Sequence, residues 1–246
     1  MKTVRLAAIL PVIVLSLGLF AAAQAASNSL DDQLLQATEK GDAAAVRQLL
    51  EKGANIEMAP IPGTGMKSPE YLQINPLGKV PTLDADGLII AESEVINEYL
   101  EDKFPNPPLM PKTPEGKAKV RAFTRFHDLY LDPPLRALFP QLNPKTRDDK
   151  VVTEKLGELQ TRLDLLEAML APGGFAAGPD FTLADCALAP TIFFVTNMLP
   201  GFGAKPPLDG RPKLAAWWTK VQTRPTVAKA MGEMGEALKA MLGTAR

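Results

Sequence analysis

Five prolines fall within residues 104–116, "FPNPPLMPKTPEG". Neither a helix nor a strand ladder runs through such a stretch, because proline lacks an N–H and restricts the residue before it. The chain is therefore divided there, and its two sides carry different periodicities. Residues 56–105 alternate short apolar runs with turns and brief helical patterns, whereas residues 115–246 repeat at three and four. The expected architecture is an α/β domain, a linker over 106–114 and an all-α domain.

Within the first part, "NIEMAPI" reads as a strand. "SPEYLQIN" opens a helix, with Ser68 at the N-cap and Pro69 at the first helical position, where a missing N–H costs nothing. "VPTL" and "GLIIA" flank the turn "DADG", the signature of an antiparallel hairpin. "ESEVINEYLEDKFP" then reads as a helix with Val95, Ile96, Tyr99 and Leu100 on one side, ended by Pro105.

Beyond the linker, "GKAKVRAFTRFHDLYL" is amphipathic, and Leu156, Leu159, Leu163, Leu166 and Leu170 step by three and four as one buried stripe. In "PDFTLADCALAPTIFFV" Thr182 is the N-cap and Asp185 its reciprocal partner, with Phe181 a hydrophobic staple onto Cys186. Thr182 and Asp185 are therefore assigned to capping rather than chemistry. The last long segment, "RPKLAAWWTKVQTRPTVAKAM", is broken at Pro225. His127, Tyr130 and Phe126 lie on the first helix of this part. A lone histidine there packs more often than it reacts, and none of the three is assigned to catalysis.

The N-terminus carries Lys2 and Arg5, an apolar run from Leu6 to Phe20, and Ala23-Gln24-Ala25. A charged start, a short apolar centre and a small-residue end describe a secretory leader over residues 1–25, removed after Ala25. The run falls short of the ~20 apolar residues a spanning helix needs, and no later stretch reads as one. The mature chain is expected to be soluble and exported, periplasmic or secreted. Losing Lys2 and Arg5 takes the formal charge from −1 to −3, with acids and bases mixed along the chain, so no nucleic-acid partner is expected. Cys186 is the single cysteine and His127 the single histidine. An internal disulfide, a CxxC redox pair and a multi-histidine metal site are thereby excluded, and no metal is expected.

"SPEYLQINPLGKVPTL", "GLIIAESEVINEYLEDKFP", "FTLADCALAP" and "LAAWWTKVQTRPTV" resemble the glutathione transferase superfamily, in the family's order and spacing, over about residues 56–230. The resemblance implies a thioredoxin-like glutathione-binding domain over 56–105 and an all-helical domain over 115–246. A cis Val80–Pro81 bond would turn the backbone of Val80 outward, free to pair with an extended peptide as an added strand would. The resemblance gives Val80 the cysteinyl part of glutathione, and Glu92 and Ser93 the γ-glutamyl group. Ser93 is read as the N-cap of its helix, whose free N–H groups suit a carboxylate. Lys79 suits the glycine carboxylate. Implied partners are glutathione and a small electrophile, with a homodimer as the assembly.

Conjugation needs glutathione as thiolate, but a thiol with a pKa near ~8.5 is mostly protonated at neutral pH. The family places a Tyr, Ser or Cys between its first strand and first helix; a hydroxyl donor there favours the charged sulfur. Between Leu30 and Ala54 the only side-chain hydroxyl is Thr38, and a thiol-disulfide oxidoreductase would need a cysteine near 38–43 that is not there. The stretch "GDAAAVRQLLEKGANIE" fits the family's first helix, but with "DDQLLQATEK" before it the whole also fits one ankyrin repeat. Residues 26–55 are accordingly read as an ankyrin-like helical segment able to meet a protein partner, which leaves the family's first strand without an evident counterpart. Two functions follow: a glutathione transferase, or a non-catalytic binding protein on the same scaffold.

Overall fold

The computed structural model describes residues 3–7 and 55–244, with side chains from Ala59 to Lys239. Two units divide at Pro107: Met1–Pro107 and Pro108–Arg246.

The first unit holds one sheet of four strands in the order β2-β1-β3-β4. These are β1 (Thr3–Ala7), β2 (Asn55–Ala59), β3 (Thr82–Ala85) and β4 (Leu88–Ala91). β1 runs parallel to β2, from Thr3 opposite Asn55 to Ala7 opposite Ala59, and antiparallel to β3, with Ala7 opposite Thr82. The central position that the sequence leaves without an evident strand is thus taken by residues read as part of a leader. Among the described residues, only β1 joins β2 to the hairpin.

The hairpin forms as its turn chemistry dictates. Asp86 and Gly87 both take positive φ, and the Gly87 N–H donates to Asp84 Oδ1 at 2.7 Å. Between β2 and β3 lies α1 (Pro69–Ile74), with Ser68 as the expected N-cap accepting from the Tyr71 N–H. After β4 comes α2 (Ser93–Lys103). Its inward side is Ile96, Asn97 and Leu100, which with Leu83 and Ala85 builds the core of the unit, covered by Ile90, Tyr99 and Phe104. Val95, expected on that side, is 53% exposed. At 100° per residue it stands a full step round the helix from Ile96.

Among its described residues the second unit is built of helices, with one isolated bridge between Phe175 and Gly178. α3 (Pro114–Phe126) passes through a π-helical turn, His127–Leu131, into α4 (Asp132–Leu138). α5 (Asp149–Met169), α6 (Leu183–Met198), α7 (Pro212–Val221) and α8 (Pro225–Thr244) follow. Of the leucine stripe, Leu159, Leu163 and Leu166 are fully buried and Leu170 nearly so, whereas Leu156, expected with them, is half-buried. Burial of each such side chain contributes about 1.5–3 kcal/mol.

Helix α6 with the turn after it, Leu183–Phe202, does meet the length and composition of a membrane span, contrary to the sequence reading. Most of it is buried inside the helical unit, so its apolar character serves a core. Its start is locked as expected. Asp185 Oδ2 accepts from the Thr182 N–H at 2.8 Å and from its hydroxyl at 3.2 Å. Arg211 is a further lock, invisible in the sequence pattern. It is 7% exposed and donates to Asp164 of α5, the Gln160 carbonyl and amide oxygens, and the Pro207 carbonyl. The entry to α7 is thereby fastened to α5.

This is the expected fold class: a thioredoxin-like domain followed by an all-helical one. The ankyrin-like reading of 26–55 lies outside the described residues except for Asn55, which opens β2.

Candidate functional site

The β3–β4 register gathers the candidate residues. Thr82 pairs with Ala91, so Val80–Pro81, just before β3, and Glu92–Ser93, just after β4, leave the same end of the hairpin. Ala7 also pairs with Thr82, so the C-terminal end of β1 reaches that end of the sheet too. Thr38, the candidate activator, lies outside the described residues.

The Val80–Pro81 bond is cis, as expected. Val80 and Pro81 are half-buried and Lys79 is exposed. The Val80 N–H and carbonyl have no hydrogen-bond partner among the described residues, whereas β3 begins its ladder two residues later. An extended backbone offered to this edge would find both groups open.

The loop leading to Val80 is tightly built. Asn75 Oδ1 accepts from the Leu77 N–H at 3.0 Å, and the Gly78 N–H donates to the Asn75 carbonyl at 2.8 Å. Gly78 has φ +56°, and a Cβ there would lie 2.7 Å from the Met66 carbonyl oxygen. Glycine is the residue that both constraints admit. Next, the Lys79 carbonyl accepts from the Tyr71 hydroxyl at 2.6 Å and from Asn75 Nδ2 at 2.9 Å. Thr82 Oγ1 lies 2.8 Å from the Tyr71 hydroxyl and accepts from Asn75 Nδ2 at 2.9 Å. Tyr71, Asn75 and Thr82 were not singled out by the sequence. Their roles depend on a loop returning over a helix, which no residue spacing announces.

At the other corner the cap falls one residue earlier than expected. Glu92, not Ser93, is the N-cap of α2, since the Ile96 N–H donates to the Glu92 carbonyl at 3.0 Å. Glu92 has φ 69° and ψ 122° and makes no side-chain cap bond. For a non-glycine residue such backbone costs about 1–3 kcal/mol, and such strain clusters at ligand clamps. Ser93 is accordingly the first residue of the helical turn. Its N–H belongs to the unsatisfied set at a helix N-terminus, where an anion is stabilised. An exposed carboxylate and a half-buried hydroxyl stand side by side there.

His127 is held as a packing residue. Its Nε2 lies 2.8 Å from Thr191 Oγ1 on α6 and its Nδ1 3.0 Å from Asp128 Oδ1, and the residue is buried. Nearby, Phe126 is buried against the Tyr130 ring, and the Arg162 guanidinium stands 5.5 Å from that ring's centre.

The comparisons with known proteins agree with these words and this fold. A family model described as the glutathione S-transferase N-terminal domain matches residues 45–108, and one described as the C-terminal domain matches residues 149–218. The chain is 32% identical to glutathione S-transferase F10 of Arabidopsis thaliana over 189 residues, which are 73% of this chain and 86% of that protein. It belongs to the glutathione S-transferase family. Another relative within reach of this family member is a stringent starvation protein A homolog of Haemophilus ducreyi, 30% identical over 75% of this chain and 81% of that protein. Among solved structures, a theta class glutathione S-transferase of Xanthomonas axonopodis pv. citri with glutathione bound has the same fold. Its TM-score is 0.69 at 21% identity, over 94% of this chain and 98% of that one. The N-terminal match begins at Ala45, inside the stretch with two readings, and so gives residues 45–55 to the transferase domain.

Proposed function

We propose that this family member binds glutathione and adds its thiolate to a small electrophile, working as a homodimer. What carries the reading is the open Val80 backbone beside the Glu92–Ser93 corner, both leaving one end of the β3–β4 hairpin. Val80 pairs with the cysteinyl backbone, Glu92 takes the γ-glutamyl ammonium, Ser93 and the first turn of α2 take its carboxylate, and Lys79 meets the glycine carboxylate. The glutathione-bound Xanthomonas relative supports the choice of ligand.

Turnover is expected to be slow. With β1 ending at Ala7, the residues that follow it in the chain, 8–15, carry no hydroxyl or thiol, and the first hydroxyl is Ser16. Activation by Thr38 or by a backbone N–H would be poorer than by a well-placed tyrosine or serine. The leader-like composition of residues 1–25 supports export, but cleavage after Ala25 would remove β1, so the glutathione-binding form is the chain that keeps these residues.

Calorimetric titration of the full chain with glutathione, beside Ser93→Ala and a chloronitroaromatic conjugation assay, tests the reading. Ser93→Ala removes a hydrogen bond to a charged group, and its affinity should fall about tenfold or more. Equal affinity in the two proteins would remove Ser93 from the site. Full-chain binding without turnover would favour the non-catalytic reading.

A further inference from the structure

Building on the glutathione reading, we infer that Tyr71, Asn75 and Thr82 are positioning residues that aim the Val80 N–H at the ligand.

The hydrogens of this ring can be arranged in one consistent way. Asn75 Nδ2 has two, spent on the Lys79 carbonyl at 2.9 Å and on Thr82 Oγ1 at 2.9 Å. Thr82 Oγ1, already accepting, gives its own hydrogen to the Tyr71 oxygen 2.8 Å away rather than to the Lys79 carbonyl at 3.4 Å. Tyr71 in turn donates to the Lys79 carbonyl at 2.6 Å. Both lone pairs of that carbonyl are filled, and no donor in the ring is left over.

All three side chains are buried: Tyr71 at 0%, Asn75 at 2% and Thr82 at 2% exposure. Turning the Lys79–Val80 peptide over would strand the Tyr71 hydroxyl and one Asn75 hydrogen away from water. The peptide is thus held with its carbonyl toward the ring. It is a trans peptide, since the cis bonds of the described chain are Val80–Pro81 and Asn106–Pro107. In a planar trans peptide the carbonyl and the next N–H point in opposite directions. Fixing the Lys79 oxygen inward therefore fixes the Val80 N–H outward, away from the ring. Without the ring the same N–H could swing, and a ligand would bear the entropy of ordering it.

Tyr71→Phe keeps the ring's volume and removes its hydroxyl; Thr82→Val removes the other hydroxyl in nearly the same shape; Thr82→Ser restores it. Each is titrated with glutathione at a temperature where thermal melts show it fully folded. Tyr71→Phe and Thr82→Val are expected to bind about five- to tenfold more weakly, and Thr82→Ser within about twofold of the parent chain. A lowered melting temperature with unchanged affinity in Tyr71→Phe and Thr82→Val would make the ring a fold element only and overturn the inference. Failure of Thr82→Ser to restore binding would also count against it. A parent chain that does not bind glutathione removes the functional reading itself, and the inference with it.

Discussion

Deleting residues 1–25 is expected to abolish glutathione binding while the helical unit stays folded. β1 lies between β2 and β3, and among the described residues it is their only shared neighbour. Without it β2 loses its sheet and β3–β4 becomes an isolated hairpin, which is marginal in water. The Leu83, Ala85, Ile96 and Leu100 core would then rest on two strands and a helix. Loosening β3 also releases Thr82, and with it the ring that orders Lys79 and Val80. The helical unit keeps its own core of Leu159, Leu163, Leu166 and the length of α6. Calorimetry should show affinity reduced more than about a hundredfold, the effect of losing roughly 3 kcal/mol or more of ordered site. Hydrogen exchange should show α5 and α6 still protected while β3 is not. Unchanged binding by residues 26–246 would mean that another segment supplies the central strand.

That outcome also bears on where the protein works. A leader removed after Ala25 makes the same deletion that the experiment makes. An exported, processed chain would then be a helical unit with a broken sheet, and the glutathione-binding form would be the unprocessed one. Intact mass of the chain recovered from each compartment tells which form exists. A periplasmic chain of full mass would reconcile export with β1.

The local parts of this fold were legible in the sequence because their causes are local. Ser68-Pro69, the "DADG" turn, Pro81 and the Thr182/Asp185 pair act within four residues of one another, and each stands where its chemistry puts it. The cap of α2 was misread by one residue, because serine is the better intrinsic cap while the strained Glu92 backbone holds the position. Contacts across the chain were not legible. Tyr71 meets Thr82 through a loop, and Arg211 meets Asp164 and Gln160 from a different helix. Nothing in "GRPKLAAWW" marks its arginine as buried rather than as an ordinary surface cation. β1 was hidden for another reason: "TVRLA" satisfies both the charged, apolar opening of a leader and the preferences of a strand. Composition alone leaves both readings standing, and pairing with β2 and β3 is a long-range fact.

Asp185→Asn is expected to destabilise the helical unit by about 3 kcal/mol, the loss typical of breaking a buried, charged hydrogen-bond cluster. The carboxylate is fully buried and serves as an acceptor only. Oδ1 accepts from the Ala176 N–H at 2.7 Å and Trp217 Nε1 at 2.8 Å, and Oδ2 from the Thr182 N–H and hydroxyl. An amide in its place turns one oxygen into a donor facing donors, whichever way it is flipped. One side chain thus holds the start of α6, the loop at Ala176 and the Trp217 ring of α7, so the loss should lower the melting temperature by roughly 10 °C. Burial pushes the Asp185 carboxyl up from its ordinary value of 3.8, against the pull of its four donors. Protonation would place an O–H among those four donors, the same mismatch that the amide makes, so the carboxylate is the form the cluster fits. Denaturant melts of parent and variant at neutral pH should therefore show the full gap, and a variant as stable as the parent would mean that burial outweighs the four donors and that the acid is the form the fold prefers.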